Sequence, residues 1–352
     1  HTRFKNTKVV LVSGGDDRGV MYALLDVADS IEKAPDHDEP LQAVQGVSEQ
    51  PVVQERSVSI YTMHRLHFEE RFHNPDYWAR YLDLLAQCRF NTISLLFAYE
   101  AAGYFAPPYP YFFDVTGFPD VHVTGLTHND QQRNLTSLNR LIAMTHERGL
   151  DFTLGIWDHI YRGGVQQGPG PDTDKPLPWR VVGVTTDNLL AYSVAALPEL
   201  LRLVPNLDTI QFRMHGESGL ADEEMDVFWA SIYQVMRTHG QGIRFDARAK
   251  GFPDRLIDKA LDEDIPIRIC TKYWMEQMGL PFHPTHVHPK NQMDRRHSYA
   301  DLLRYPKKYP ILWRLWNGGT ARVLLWGDPE YVHRFVGSMR LYDGDGLHVN
   351  SL

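Results

Sequence analysis

The amino-acid sequence predicts an α/β protein whose main part is a closed, TIM-type (β/α)8 barrel, preceded by part of a small α/β domain. Strand-like apolar runs alternate with helix-like runs along most of the chain, which is typical of repeated βα units and a parallel sheet. No Gly-rich phosphate loop follows the first strand, so the main marker of an open doubly wound sheet is absent from the sequence. The 352 residues exceed the roughly 250 that such a barrel needs and leave room for one smaller unit.

The smaller unit comes first in the chain. Residues 1–32 combine a strand-like run, a Gly-Gly-Asp-Asp turn and a helical pattern of apolar residues, which predicts the remnant of an N-terminal α/β domain. Residues 33–55 are polar and contain prolines, as expected of a linker. We therefore assign residues 56–352 to the barrel.

The barrel units follow in order, and six are clear while two are weaker. The strand-like runs are 57–64, 90–99, 150–160, 207–217, 243–251, 265–274, either 311–316 or 321–328, and 346–352. The helix-like runs are 75–89, 134–149, 187–205, 221–240, 253–264, 297–309 and 329–341. Because the chain stops at the eighth strand, we expect the last helix to be missing and the natural protein to be longer at both ends.

Composition narrows the class of partner. A formal charge of −8 argues against a nucleic-acid surface or an anionic membrane. No apolar segment is long enough to span a bilayer, and no signal pattern opens the chain, so a periplasmic or secreted location is expected only if the missing N-terminus carries a signal peptide. The two cysteines, Cys88 and Cys270, do not make a disulfide framework. No cofactor motif is present, and the oligomeric state is not predicted.

Polar and aromatic residues, Trp313 among them, gather where the predicted strands end. In this fold the C-terminal ends of the strands form the reactive face, because the βα loops converge there. Aromatic faces stack on sugar rings and charged groups bind hydroxyls or carboxylates, so a carbohydrate is the predicted ligand. The predicted substrate-binding residues are His64, Arg65, Trp157, Asp158, Arg213, His215, Lys272, Tyr273, Trp274, His283, His286, Arg314, Trp316, Asn317, Trp326 and Asp328.

The cations in this set, Arg213, Lys272 and Arg314, suggest an anionic group such as a uronic carboxylate. Pairing with nearby carboxylates is an equally good interpretation of them. The loop histidines His283, His286 and His288 lack the helical spacing of a zinc motif and have no carboxylate at a fixed offset. We therefore predict no metal site and expect these histidines to bind substrate or to brace the loop.

Glycoside cleavage needs two carboxyl groups, one as acid and one as base or nucleophile. Glu217 is the predicted acid, because Gly216 and Gly219 allow a sharp turn that presents it. The alternative is that Glu217 caps the next helix or pairs with a nearby arginine. Asp246 or Glu276 is the predicted partner, with inversion preferred to retention.

Each partner has a structural alternative. Asp246 would neutralise Arg248 or Lys250, and Glu276 would cap its loop. Asp158 and Asp328 are further candidates, although Asp328 is also in position to cap the helix that starts at Pro329. Asn134 lies in a glycosylation sequon, but we interpret it as a helix cap.

The run GGDDRGVMYALLDVADSI resembles the small N-terminal domain of bacterial α-glucuronidases, β-hexosaminidases and their relatives. Their Asp-x-Arg-Gly-x-x-Tyr-(Gly/Ala) run is matched by Asp17, Arg18, Gly19, Tyr22 and Ala23, with one residue fewer after the Asp. The run WARYLDLLAQCRFNTISL resembles their first barrel helix and second strand. The resemblance implies a glycoside hydrolase with a catalytic barrel, as a divergent branch.

The resemblance also bears on mechanism. β-Hexosaminidases carry an Asp-Glu pair after the fourth strand, whereas Gly216 precedes Glu217 here, so substrate-assisted chemistry is not expected. α-Glucuronidases place their acid near this strand and their base carboxylates on later strands, which Glu217 with Asp246 or Glu276 would match.

The predicted function is therefore a glycoside hydrolase that acts on a glycan, with uronic acid as a candidate component. One alternative is a uronate-polysaccharide lyase on the same barrel, with His215 or Tyr273 as base and Lys272 or Arg213 neutralising the carboxylate. The other is a non-catalytic relative that only binds carbohydrate.

Overall fold

The computed structural model describes residues 2–4, 7–61, 65–97, 107–156, 179, 181–185, 187–212, 222–248, 252–270, 309–315, 329–341 and 343–350. Eight parallel strands close into a barrel, so the predicted fold class is confirmed. The barrel strands are β3 (Glu55–Tyr61), β4 (Thr92–Leu96), β6 (Asp151–Ile156), β8 (Thr209–Phe212), β9 (Arg244–Arg248), β10 (Ile267–Cys270), β11 (Ile311–Leu315) and β12 (Gly346–Asn350). Closure occurs where β12 pairs with β3, with Gly346 opposite Glu55.

The helices follow the predicted βα order. They are α1 (Asp17–Glu32), α2 (Arg65–Phe72), α3 (Pro75–Gln87), α4 (His128–His146), α5 (Leu189–Leu203), α6 (Asp222–His239), α7 (Asp254–Asp262) and α8 (Pro329–Leu341). The seventh barrel strand is 311–315, the first of the two predicted alternatives, whereas 321–328 lies outside the described residues. The predicted helix at 297–309 also lies outside them, except for Tyr309.

Helix α3 shows how local sequence sets an element. Asn74 caps it by accepting hydrogen bonds from the amides of Asp76 and Tyr77 at 3.0 and 3.1 Å, and a proline occupies the first turn. Trp78 and Leu82 recur four residues apart and are both buried. The helix is therefore started by its cap and held by one apolar face.

Helix α4 corrects the interpretation of Asn134. The helix begins at His128, and Thr127 forms a capping box with Asp130. Asn134 lies inside the helix, is buried, and donates its side-chain amide to the carbonyl oxygen of Tyr111 at 2.9 Å. The cap prediction was wrong because a stronger cap stands upstream.

Helix α1 packs against the N-terminal end of the barrel. Its Arg18 forms an ion pair with Asp151, the first residue of β6. The hydroxyl of Tyr22 donates to the carbonyl oxygen of Phe90, two residues before β4, at 3.3 Å. These contacts join the first helix to the barrel, and the assignment of residues 1–32 to a separate domain remains a prediction.

The N-cap of α1 is Asp16, whose side chain accepts from the amide of Gly19 at 2.6 Å. If the Asp of the Asp-x-Arg-Gly motif is Asp16 and not Asp17, one residue separates it from Arg18, and the spacing of the motif is complete. A Cβ on Gly14 would lie 2.2 Å from the nitrogen of Val20, so the preceding glycine is needed where the chain turns into the helix.

Two small antiparallel sheets are described outside the barrel. Strands β1 (Thr2–Phe4) and β2 (Thr7–Val9) form an N-terminal hairpin, and β5 (His122–Val123) pairs with β7 (Val181–Val182) on the C-terminal face. The pair β5–β7 connects the loop after β4 to the loop after β6. The hydroxyl of Tyr111 also donates to the carbonyl oxygen of Trp179 at 2.6 Å. The described parts of these two loops therefore contact each other.

Candidate active site

The loops with the predicted acid and base follow the fourth and sixth barrel strands. Glu217 stands five residues beyond the end of β8, and Glu276 stands six residues beyond the end of β10. Both lie outside the described residues, although the strands that lead to them are described. The strand count thus agrees with the predicted positions of the two loops.

Most predicted substrate-binding residues also lie outside the described part of the chain. They are His64, Trp157, Asp158, Arg213, His215, Lys272, Tyr273, Trp274, His283, His286, Trp316, Asn317, Trp326 and Asp328. Arg65 is the first residue of α2. Asp246 and Arg314 are described with their side chains, and both are buried.

The interior of the barrel is polar, and its two halves differ. Strands β3, β4, β6 and β8 contribute mainly small hydroxyl side chains, while the other four strands contribute mainly charged side chains and a histidine. The buried polar residues are Glu55, Ser57, Ser59, Thr92, Ser94, Thr153, Thr209 and Gln211 in the first half, and Asp246, Arg248, Arg268, Arg314 and His348 in the second. Barrel interiors usually hold bulky branched residues. Here Arg314 extends from the second half to a small residue of the first.

Arg314 shows this reach directly. It lies on β11 and points inward, and its Nη2 donates to the hydroxyl of Ser59 on β3 at 3.4 Å. The next strand residue toward the N-terminus, Trp313, points outward and packs edge-on against Phe335 of α8 at 6.0 Å between ring centroids. Trp313 was predicted to be at the reactive face, and this was wrong because strand alternation turns it toward the helices.

Asp246 belongs to an ion cluster of Glu55, Arg244, Asp246 and Arg268. Arg268 holds both carboxylate oxygens of Asp246, through Nε at 2.9 Å and Nη2 at 2.6 Å. The same guanidinium donates to Glu55 from across the barrel. Arg244 adds contacts of 3.0 Å to Glu55 and 3.6 Å to Asp246. The geometry is the bidentate fork that arginine forms with carboxylates.

The position of this ion cluster matters for catalysis. Glu55 and Arg244 begin their strands, and Arg268 is the second residue of β10, so the cluster lies toward the N-terminal end of the barrel. The side chain of Asp246 is 0% exposed. Sequence reasoning considered Arg248 or Lys250 as its ion-pair partner, whereas the partners in the structure are Arg268 and Arg244.

Cys270 extends the contacts of Asp246 toward the C-terminal face. Its thiol lies 3.5 Å from Oδ2 of Asp246, and the side-chain amide of Gln211 donates to its sulfur at 3.2 Å. Burial, together with the charge of Asp246, raises the pKa of the Cys270 thiol well above its usual range. The thiol therefore stays protonated and acts as a hydrogen-bonding group.

Sequence reasoning missed Glu55, Gln211, Arg268 and Cys270. Their signal was strand alternation: in the run IPIRIC, for example, the inward position holds Arg268 between two outward isoleucines. A charged residue between buried apolar neighbours on a central strand indicates a partner across the barrel.

Within the described ranges, no group of three or more His, Cys, Asp or Glu side chains is arranged to hold a metal ion. None of the described helices is long and apolar enough to cross a membrane.

Comparison with known proteins adds the fold relationship. No protein-family profile and no curated protein sequence matches the chain. Among solved structures, the chain is similar to a GH138 enzyme that targets the pectin rhamnogalacturonan II, with a TM-score of 0.69 and 14% identity over 96% of this chain. It spans 38% of the length of that protein.

Two other matches are lower in structural similarity. A mutant Streptomyces plicatus β-hexosaminidase in complex with its product gives a TM-score of 0.43 at 11% identity, over 85% of this chain and 58% of that one. The Flavobacterium johnsoniae chitobiase gives 0.45 at 13%, over 85% and 44%. At 14% identity, what this chain shares with the GH138 enzyme is the fold, which in this chain is a closed (β/α)8 barrel.

Proposed function

We propose that this chain carries the catalytic barrel of a glycoside hydrolase that acts on an acidic glycan. The observation that carries the proposal is the closed barrel, similar over 96% of the chain to that of a pectin-targeting enzyme, with Glu217 on the loop after its fourth strand. In this fold, strand-end carboxylates at the C-terminal face are the expected catalytic groups. The aromatic and charged residues predicted around Glu217 are suited to sugar rings and their substituents.

Glu217 is assigned as the general acid, which protonates the oxygen of the departing sugar. For the second carboxylate, the described geometry favours Glu276 over Asp246. A general base must lie within hydrogen-bond reach of the water that it activates, and both oxygens of Asp246 are held by Arg268 inside the barrel. Glu217 follows β8 and Glu276 follows β10, with only β9 between these two strands. This spacing suits two groups that face each other across one pocket.

The acidic character of the substrate is supported by the position of Arg314. Its guanidinium lies inside the barrel on the second-last residue of β11, beneath the face on which the loops converge. A planar guanidinium is well shaped to hold a carboxylate. Pectins are uronate-rich polysaccharides, so a pectin-derived oligosaccharide is the first substrate to test.

The test is to incubate the protein with a panel of oligosaccharides and to measure the reducing sugar that is released. Pectic fragments are compared with neutral glycans. Glu217→Gln should lower kcat on natural glycans by about 10²- to 10⁴-fold, because the leaving oxygen then departs unprotonated. The loss should be much smaller on a nitrophenyl glycoside, whose leaving group needs no proton. Glu276→Gln should lose activity on both substrates, because the water is then not activated.

Glu223→Gln is the matched control, since Glu223 is an exposed glutamate in the first turn of α6, six residues from Glu217. It should retain the parent activity. An unsaturated product that absorbs in the ultraviolet would show that the protein is a lyase and not a hydrolase. Glycan binding without turnover of any substrate would show that it is a non-catalytic carbohydrate-binding protein.

A further inference from the structure

We propose that Asp246 is a positioning residue that acts through its neighbours. It is the centre of a buried series of contacts that runs from Gln211 through Cys270, Asp246 and Arg268 to Glu55, here called the interior chain. The interior chain fixes the ends of β8 and β10 relative to each other, and with them the loops of the acid and the base. This inference rests on the proposed function.

Side chains connect β8 and β10, although these strands are not adjacent in the barrel. In register, Gln211 of β8 lies beside Asp246 of β9, and Asp246 lies beside Arg268 of β10. The contact between Gln211 and Cys270 passes over β9 and joins β8 directly to β10 at 3.2 Å. The two strands that precede the catalytic loops are thus tied by side chains as well as through the strand between them.

The contact between Gln211 and Cys270 lies at the C-terminal ends of both strands. Gln211 is the last residue but one of β8, and Cys270 is the last residue of β10. A shift at either residue is transmitted to a loop that starts one or two positions later. Contacts at the opposite end of the strands, such as those of Glu55, anchor the series to β3.

The ion pairs of Arg268 form the anchor of the interior chain. Arg268 is 4% exposed and bridges two carboxylates from different strands, Asp246 and Glu55. Moving this guanidinium away from the two carboxylates would leave a buried positive charge without its partners, which is costly in the interior. The anchor therefore gives Asp246 one orientation, and Asp246 offers one oxygen to Cys270.

The test compares variants that remove single contacts of the interior chain and leave its charges in place. Gln211→Met removes the amide donor at nearly equal volume, and Cys270→Ala removes the thiol. Each should lower kcat on the substrate found for the unmutated protein by about 10- to 100-fold, since a displacement of about 1 Å at a catalytic group costs that much. KM should stay close to the parent value.

Cys270→Ser replaces the thiol with a hydroxyl, which can also donate and accept a hydrogen bond, and should restore most of the kcat lost in Cys270→Ala. Ser94→Ala is the matched control, because Ser94 is also a buried, inward side chain but bonds to Ser57 on β3, outside the interior chain. It should keep the parent kcat. A purely structural role would give the Ser94 and Gln211 variants equal kcat at equal unfolding midpoints, and that result would overturn the inference.

Asp246→Asn separates positioning from direct catalysis. A catalytic base that is lost removes the acidic limb of the pH profile of kcat, and added azide restores turnover by taking the place of the carboxylate. The inference expects the profile to keep both limbs and azide to have no effect. If this variant does not fold, the Gln211 and Cys270 variants still decide.

The two proposals fail in different ways. An unmutated protein that turns over no glycan overturns the proposed function and this inference with it. An active unmutated protein whose Gln211→Met and Cys270→Ala variants keep the parent kcat overturns this inference alone.

Discussion

Removing the guanidinium of Arg268 is the sharpest test of the ion cluster. In Arg268→Met, the carboxylates of Asp246 and Glu55 keep Arg244 as their only cation within the cluster, at 3.6 and 3.0 Å. Removing one partner of a buried ion pair costs about 3–5 kcal/mol. Because Arg244 still reaches both carboxylates, we expect the lower end, about 3 kcal/mol of unfolding free energy.

The double variant Asp246→Leu/Arg268→Met reverses much of this loss. It leaves Glu55 with Arg244, which is a balanced pair, and replaces the other pair with apolar side chains. Such replacements of buried ion pairs are often neutral or stabilising. The double variant should therefore be more stable than either single variant, with a coupling energy of about 2–3 kcal/mol, near the upper end for residues in one network.

The assay is urea unfolding of the parent, both single variants and the double variant, followed by tryptophan fluorescence and by circular dichroism. Unchanged slopes of free energy against urea would show that the variants unfold from the same compact state. Losses that simply add, with a coupling below about 0.5 kcal/mol, would refute the ion cluster as a cooperative unit.

Three further outcomes are expected. Gly183→Ala should destabilise the protein by about 1–3 kcal/mol in thermal or urea unfolding, because Gly183 has a φ of +83° and a Cβ there would lie 2.1 Å from the carbonyl oxygen of Asp120. A thiol reagent should label Cys88, which is exposed, and should reach the buried Cys270 only after unfolding, as mass spectrometry of the labelled peptides would show. Burial lowers the pKa of His73 from 6.5 to about 4, so as the pH falls the unfolded state binds a proton before the folded state does. The free energy of unfolding should therefore decrease as the pH drops from about 6.5 to 4. A proton NMR titration of the folded protein in which the His73 ring protonates near 6.5 would contradict this.

The barrel was predictable because apolar residues in its outer layer, between strands and helices, recur at regular spacings along the sequence. The outward residues of the strands and the inward faces of the helices are apolar, and the alternation of these two patterns marks each βα unit. Caps explain where prediction of helix starts succeeded or failed. The helix-like run at 75–89 has the same start as α3, which Asn74 caps, whereas Thr127 went unrecognised and Asn134 was taken for the cap of α4.

The interior was less predictable, because a sequence shows the spacing of residues along a strand but not their partners across a barrel. Glu55 and Arg268 are 213 positions apart and meet only when the barrel closes. The same limit applied to Asp246, whose carboxylate at a strand end was interpreted as a catalytic candidate. Its partners Arg268 and Arg244 come from different strand positions than the neighbours first considered.

The separation of the two layers explains how a barrel with a polar interior remains folded. The aromatic and aliphatic contacts lie between strands and helices: Trp229 of α6, for example, packs edge-on against Phe212 and Phe245 at 5.5 and 5.8 Å between ring centroids. That outer layer supplies the apolar burial that drives folding. The interior is then not required to be apolar, and its polar contacts are available to hold the ends of the strands in place. Substitutions that shrink the outer layer, such as Trp229→Ala, should therefore reduce stability first, whereas neutral substitutions in the interior chain should reduce turnover first.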